Sequence, residues 1–171
     1  MAHPERSDLV QHSWVAEYRT IAEEGALVLQ REVLIRAKAA GASGSVAIFD
    51  NRGMMLAYQA TGPNAYNQHM NIALAKGKSV LATHRSTSEQ RDRMETKGQG
   101  ALQFADTLGS LFKGGVAFFF DEDATEFAGA LVFSGDKGED KDEEFCRGAL
   151  DGTGFYTDLP EREQEPDVKL R

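Results

Sequence analysis

The sequence predicts an α+β fold, in which helices pack against an antiparallel β-sheet. Two β-hairpins are the main support for this prediction. In the first, apolar strand-like segments at 45–49 and 54–60 flank a polar turn of Asp, Asn, Arg and Gly. In the second, segments 115–120 and 126–133 flank the turn 121–125. Helical segments precede, separate and follow the hairpins, so we expect helices on one or both faces of the sheet.

The first helix is predicted over residues 9–40, after a capping-box pattern formed by Asp8 and Gln11. Apolar residues recur there every seven positions, at Trp14, Ile21, Val28 and Ile35. A break is expected near Gly25, because glycine inside a helix costs about 1 kcal/mol relative to alanine. This segment is therefore predicted to be an amphipathic helix at the N-terminus of the domain.

The segment from Tyr66 to about residue 84 has the spacing of a second amphipathic helix. Its predicted apolar face consists of Met70, Ala73, Leu74, Gly77 and Leu81. Ser86 and Glu89 form a capping-box pattern that opens a polar helix to about residue 97. A last helix is predicted over 141–150, so residues 1–158 read as one domain and 159–171 as a flexible charged tail.

Composition excludes several classes of function. The chain has 171 residues, 41% of them apolar, which is enough for a single ordinary core. With 19 basic and 27 acidic residues the formal charge is −8, so nucleic acid is not expected as a partner. No apolar run is long enough to span a membrane and no signal peptide is recognisable, which favours a cytoplasmic location. The single cysteine, Cys146, is expected to be buried rather than nucleophilic.

Five motifs in a fixed order resemble those of the GlcG/HbpS family, also called the haem-degrading or DUF336 domain. They are a strand ending in Asp (46–50), a Gly-led return strand (53–56), the run Lys76-Gly77-Lys78-Ser79-Val80, the strand start Gly114-Gly115-Val116, and a Ser-Gly strand end (129–135) before an acidic helix. The chain is also similar to the C-terminal domain of PduO-type adenosyltransferases. This resemblance implies a profilin-like α/β/α layer architecture, a homo-oligomer, and a small-molecule or haem pocket near subunit contacts.

Lys76, which matches the family's motif lysine, is the first candidate site residue. His69 lies seven residues earlier, on the same side of the helix, and Tyr66 stands at the helix start, where free amides favour an anion. For haem, the leading ligand, we expect Lys76, Arg85 and backbone amides to hold the propionates. The amides of Gly114 and Gly115 are further cofactor-binding candidates. His69 is the candidate axial ligand to the metal, with His3 and His12 as alternatives.

Two other functions remain open from the residues. In an enzyme acting on a small organic acid or phenolic compound, Lys76 would be an electrostatic clamp or proton donor and His69 or Tyr66 a general acid/base. The amides of Gly114 and Gly115 would stabilise developing negative charge. In an oligomeric accessory or stress protein there would be no catalysis, with Lys76 solvated and His69 a polar cap residue.

Overall fold

The structure, a computed structural model, describes residues 19–100 and 109–158. Predictions that concern the other residues, including the start of the first helix and the charged tail, lie outside the described residues. Within them, five antiparallel strands form one sheet in the order β2-β1-β4-β3-β5. The strands are β1 (Gly44–Asp50), β2 (Met55–Thr61), β3 (Gly115–Phe119), β4 (Phe127–Gly135) and β5 (Tyr156–Thr157). Both predicted hairpins are confirmed. The sequence analysis did not predict β5, which has only two residues.

The β1–β2 turn owes its geometry to Asp50. Its Oδ1 accepts hydrogen bonds from the backbone amides of Arg52, at 2.9 Å, and Met54, at 2.8 Å. Gly53 has a φ of 83°, a left-handed conformation that a β-branched or bulky residue would adopt only with strain. The polar residues of this turn therefore bring the two strands together as the sequence predicts.

Four helices of the described residues pack against the two faces of this sheet, which gives three layers in all. They are α1 (Glu23–Ala39), α2 (Asn67–Thr83), α3 (Thr87–Thr96) and α4 (Glu139–Leu150). Side chains of α1 and α4 form one core with one face of the sheet. Those of α2 form a second core with the opposite face. The predicted α+β class with α/β/α layers is confirmed.

The predicted buried face of the first helix is wrong. Residues 19–22 are not helical, α1 begins at Glu23, and Gly25 lies inside it. Val28 and Ile35, members of the seven-residue repeat, are 56% and 49% exposed. The buried residues are instead Ala26, Leu29, Gln30, Val33 and Ala37. The reason is that the buried residues follow the i, i+3, i+4, i+7, i+11 spacing of one helical face from Ala26, and Val28 and Ile35 lie outside that face.

The predicted capping box at the start of α3 is also wrong in its contacts. Ser86 does occupy the N-cap position, but its side chain does not cap the helix. Its Oγ donates to Asp158 at 2.7 Å and accepts from the Ala117 amide at 3.1 Å. Ser86 therefore joins α3 to β3 and to the chain beyond β5, a long-range role that local spacing does not reveal.

Candidate functional site

Lys76 is buried at the centre of α2, with only 1% of its surface exposed. Its Nζ donates to Asp142 Oδ2 at 2.8 Å and to the backbone oxygen of Phe133 at 2.9 Å. Since α2 and Asp142 belong to opposite helical layers, this ion pair joins the two layers. It lies beside Gly114, the residue just before β3. The Lys76 ammonium is therefore engaged within the protein.

Asp142, the partner of Lys76, was missed by the sequence analysis, which named only an acidic helix at this place in the chain. A signal was present, because Asp142 falls on the apolar face of α4 together with Phe145, Cys146 and Ala149. Burial raises the pKa of the Asp142 carboxyl, and the Lys76 ammonium acts in the opposite direction. A hydrogen bond from the Gly135 backbone also lowers this pKa. The two side chains therefore form a buried charge pair between the helical layers.

Gly114 and Gly115 lie against the Lys76–Asp142 ion pair. A Cβ on Gly114 would stand 2.5 Å from the Cβ of Asp142 and 2.9 Å from Lys76 Nζ, and Gly114 has a φ of 110°. The Gly115 amide donates to Thr87 Oγ1 at 3.2 Å. In this structure the glycines admit the Lys76 side chain, and the Gly115 amide is engaged within the fold.

His69 and Tyr66 form the N-terminal end of α2. His69 Nδ1 accepts a hydrogen bond from the Tyr66 amide at 3.3 Å, and the His69 amide donates to the backbone oxygen of Tyr66 at 2.9 Å. Because Nδ1 is the acceptor, the proton of the neutral ring is on Nε2. His69 thus acts as a helix-capping residue here, and Nε2 carries no free lone pair for a metal.

Arg85 lies beyond the opposite end of α2. The 17 residues of this helix span about 25 Å, so His69 and Arg85 do not share one pocket within the chain. The Arg85 Nε donates to Glu89 at 3.2 Å, and 37% of its side chain is exposed. The structure therefore groups Lys76, Gly114 and Gly115 inside the fold and separates Arg85 from His69.

His84, at the C-terminal end of α2, was also missed. It has a φ of 51°, and its ring stacks on Phe127 with centroids 4.1 Å apart and planes 8° from parallel. Burial and then the neighbouring Arg85 lower the pKa of His84, which favours the neutral imidazole at pH 7. The only signal in the sequence was a histidine directly after the predicted helix, where glycine is common.

Other features of the described residues do not add a site beside α2. Their His, Cys, Asp and Glu side chains form no group of three suited to a metal ion. A groove of about 440 Å³ runs between α1 and α4, lined in part by Arg36, Lys141 and Phe145, on the face of the sheet away from α2. Cys146 is buried, as predicted, and burial raises the pKa of its thiol. No helix within the described residues has the length and apolar character to cross a bilayer.

Solved structures similar to this one share its fold over most of the chain. One is a double mutant of HbpS from Streptomyces reticuli, with a TM-score of 0.69 and 19% identity, covering 87% of this chain and 95% of that one. A second is PduOC in complex with heme, with a TM-score of 0.68 and 20% identity, covering 84% and 100%. A third, the DUF336 protein ORFY of Klebsiella pneumoniae, has a TM-score of 0.70 and 22% identity, covering 82% and 94%. At these identities the likeness shows the fold alone.

The sequence itself shows the family. Residues 21–151 match the family model described as haem degrading protein HbpS-like, and this match spans well over half of the chain. The chain belongs to the HbpS-like family, as its five motifs indicated. A search of curated proteins gave no significant match.

Proposed function

We propose that this protein binds haem. Its membership of the HbpS-like family carries the proposal, and the similar fold of PduOC, solved as a heme complex, supports it. The sequence raised three functions, a haem binder, an enzyme and an accessory protein, and they place different requirements on Lys76. An enzyme with Lys76 as clamp or proton donor needs an accessible ammonium, and the burial of Lys76 gives that alternative no support.

A haem-binding surface needs a donor for the iron, apolar carbon for the ring and cations for the propionates. The end of α2 beyond Val80 offers all three. We call the surface formed by Leu81, His84, Arg85 and Phe127 the α2 C-terminal surface. The imidazole of His84 stacks on Phe127 there. The side chain of Leu81 reaches the β1–β2 turn, where a Cβ on Gly53 would stand 3.7 Å from its Cδ1.

These residues fit the group in chemical type. Haem would supply iron chemistry, while this chain would supply a nitrogen donor, apolar contact and the Arg85 guanidinium. Of the sequence candidates, Arg85 stays in this proposal as a propionate partner. Lys76, Gly114 and Gly115 would act indirectly, by holding α2 in place against β4 and α4.

The proposal is tested by titrating the full chain with hemin and following the Soret band. We expect a shifted band that saturates at a fixed ratio of hemin to protein. An Arg85→Ala variant should bind more weakly, because it removes the cation that would pair with a propionate, whereas Lys78→Ala serves as a matched loss of a surface cation elsewhere on α2. Absorbance that rises linearly without saturation would contradict the proposal.

We also propose that the protein self-associates, as the sequence analysis expected. Leu27 and Val28 of α1 are 50% and 56% exposed, and Met55 and Tyr58 on the edge strand β2 are 50% and 37% exposed. Strand β2 carries no charged residue, so pairing with strand β2 of a second copy brings no like charges together. Light scattering during size exclusion should give more than one chain per particle, and Tyr58→Lys should lower that number.

A cytoplasmic location remains part of the proposal, in keeping with the single free thiol.

A further inference from the structure

We propose that His84 donates the axial nitrogen to haem iron in this protein. The inference rests on the proposed function and names the ligand that the sequence analysis assigned to His69. His84 is exposed, lies on the α2 C-terminal surface and follows directly after the last residue of α2. Three independent features of the described structure separate it from His69.

The first feature is the availability of a lone pair. A neutral imidazole has one N–H and one lone pair, and the lone pair of His69 is used to accept the Tyr66 amide. The His84 amide donates to the Val80 oxygen at 2.7 Å, but its imidazole makes no hydrogen bond within the described residues, where it stacks on the Phe127 ring and lies near the charge of Arg85. Binding of iron by His69 would therefore break the hydrogen bond that caps α2. Binding of iron by His84 would break no hydrogen bond.

The second feature is the fixed orientation of the ring. Stacking on Phe127, which is 8% exposed and packs on Phe119, holds the imidazole plane parallel to a buried aromatic face. A side chain that is already ordered loses less conformational entropy when it binds.

The third feature is the backbone at His84. Its φ of 51° ends α2 in the left-handed conformation, which glycine adopts without strain. A histidine there costs about 1–2 kcal/mol in the backbone relative to glycine. Uncommon conformations of this kind cluster at functional sites.

The neighbouring Arg85 completes the arrangement. It follows His84 in the chain and keeps 37% of its side chain exposed. A guanidinium forms strong charge-assisted hydrogen bonds with a carboxylate. Haem carries its two propionates at one edge, so a cation beside the axial ligand matches the distribution of charge on the ligand.

The test is a hemin titration of the full chain in four forms: wild type, His84→Gly, His69→Ala and the double variant His3→Ala/His12→Ala. Glycine is chosen at position 84 because it suits the left-handed backbone, so the variant should fold. We expect His84→Gly to lose the spectrum of nitrogen-ligated iron and to bind hemin at least about tenfold more weakly. The other two variants should keep the wild-type spectrum.

Added imidazole provides a readout that a structural role would not give. It should restore the nitrogen-ligated spectrum of His84→Gly and leave that of the wild type unchanged. If wild type binds hemin and His84→Gly gives the same spectrum, this inference is wrong while the proposed function stands. Loss of the spectrum in His69→Ala or in the N-terminal variant, with His84→Gly unaffected, also overturns it. If the wild type shows no saturable binding, both proposals fail together.

Discussion

The middle and the C-terminal end of α2 use their polar residues in opposite ways. At the middle, the Lys76 ammonium is buried and has two acceptors, Asp142 and the Phe133 oxygen. At the end, the His84 imidazole is exposed and contacts an aromatic face, with no hydrogen bond in the described residues. Buried polar groups need partners for stability, whereas a group that binds a ligand must keep part of its capacity unused. In this chain the motif lysine is committed to holding the two helical layers together, and the side chain left with unused hydrogen-bonding capacity is the histidine at the helix end.

The largest effect is expected from Lys76→Met. The change leaves the Asp142 carboxylate buried without its cation, which should lower the free energy of unfolding by about 3–5 kcal/mol. Urea denaturation measures it, and Lys78→Met, on the exposed side of the same helix, should cost under about 1 kcal/mol. The double variant Lys76→Met/Asp142→Leu should recover much of the loss, because it removes both charges. Equal effects at positions 76 and 78 would show that the burial of Lys76 does not determine its role.

A second large effect is expected from Gly114→Ala. The new methyl group would collide with Asp142 and with Phe133 O, in a backbone conformation with a φ of 110°. Overpacking and backbone strain together should cost about 2–4 kcal/mol. Gly98→Ala is the matched control, since Gly98 has a φ of 68° and open space around its Cβ position. Thermal unfolding should show a smaller loss there, of about 1 kcal/mol; an equal loss would mean that strain alone acts at position 114.

The parts of this fold that the sequence predicted are those with local causes. The Asp50–Gly53 turn, the strand β1 and the extent of α2 follow from residues close together in the chain. The partner of Lys76 lies 66 residues away, and that of Ser86 lies 72 residues away. Such contacts depend on how the layers pack, which local spacing does not specify. For the same reason the sequence analysis placed His69 and Arg85 in one site, although α2 holds them at opposite ends.

A smaller effect is expected for the stability of His84→Gly. Glycine relieves the left-handed backbone by about 1 kcal/mol, and loss of the stacking on Phe127 removes about as much. The free energy of unfolding should therefore change by less than about 1 kcal/mol. Denaturation without hemin measures this, and a destabilisation comparable to that of Lys76→Met would place His84 among the residues that hold the fold together.

The smallest effect concerns pH. Burial, then the hydrogen bond and negative charge of Asp158, raise the pKa of Glu89 from 4.5 to about 7. The folded state then binds more protons than the unfolded state between these two values, so stability falls as pH rises through this range. Because 35% of the Glu89 side chain is exposed, the fall should be under about 1 kcal/mol.

Glu89→Gln should abolish that part of the pH dependence. Thermal unfolding of both proteins at pH 5 and pH 8 measures the difference, with Glu95→Gln, on the exposed part of α3, as the control. A wild type that becomes more stable from pH 5 to pH 8 relative to the variant would reverse the sign and contradict the assignment of Glu89.

The most direct test of where the ligand binds uses the paramagnetism of ferric haem. Amide signals of the isotope-labelled protein are recorded by NMR with hemin and with gallium protoporphyrin, which is diamagnetic and serves as the reference. The account predicts that hemin selectively broadens the amides of Gly53, His84, Arg85 and Phe127 and leaves those of His69 and Gly135 sharp. Broadening centred on His69 and Gly135, with the His84 amide unaffected, would contradict it.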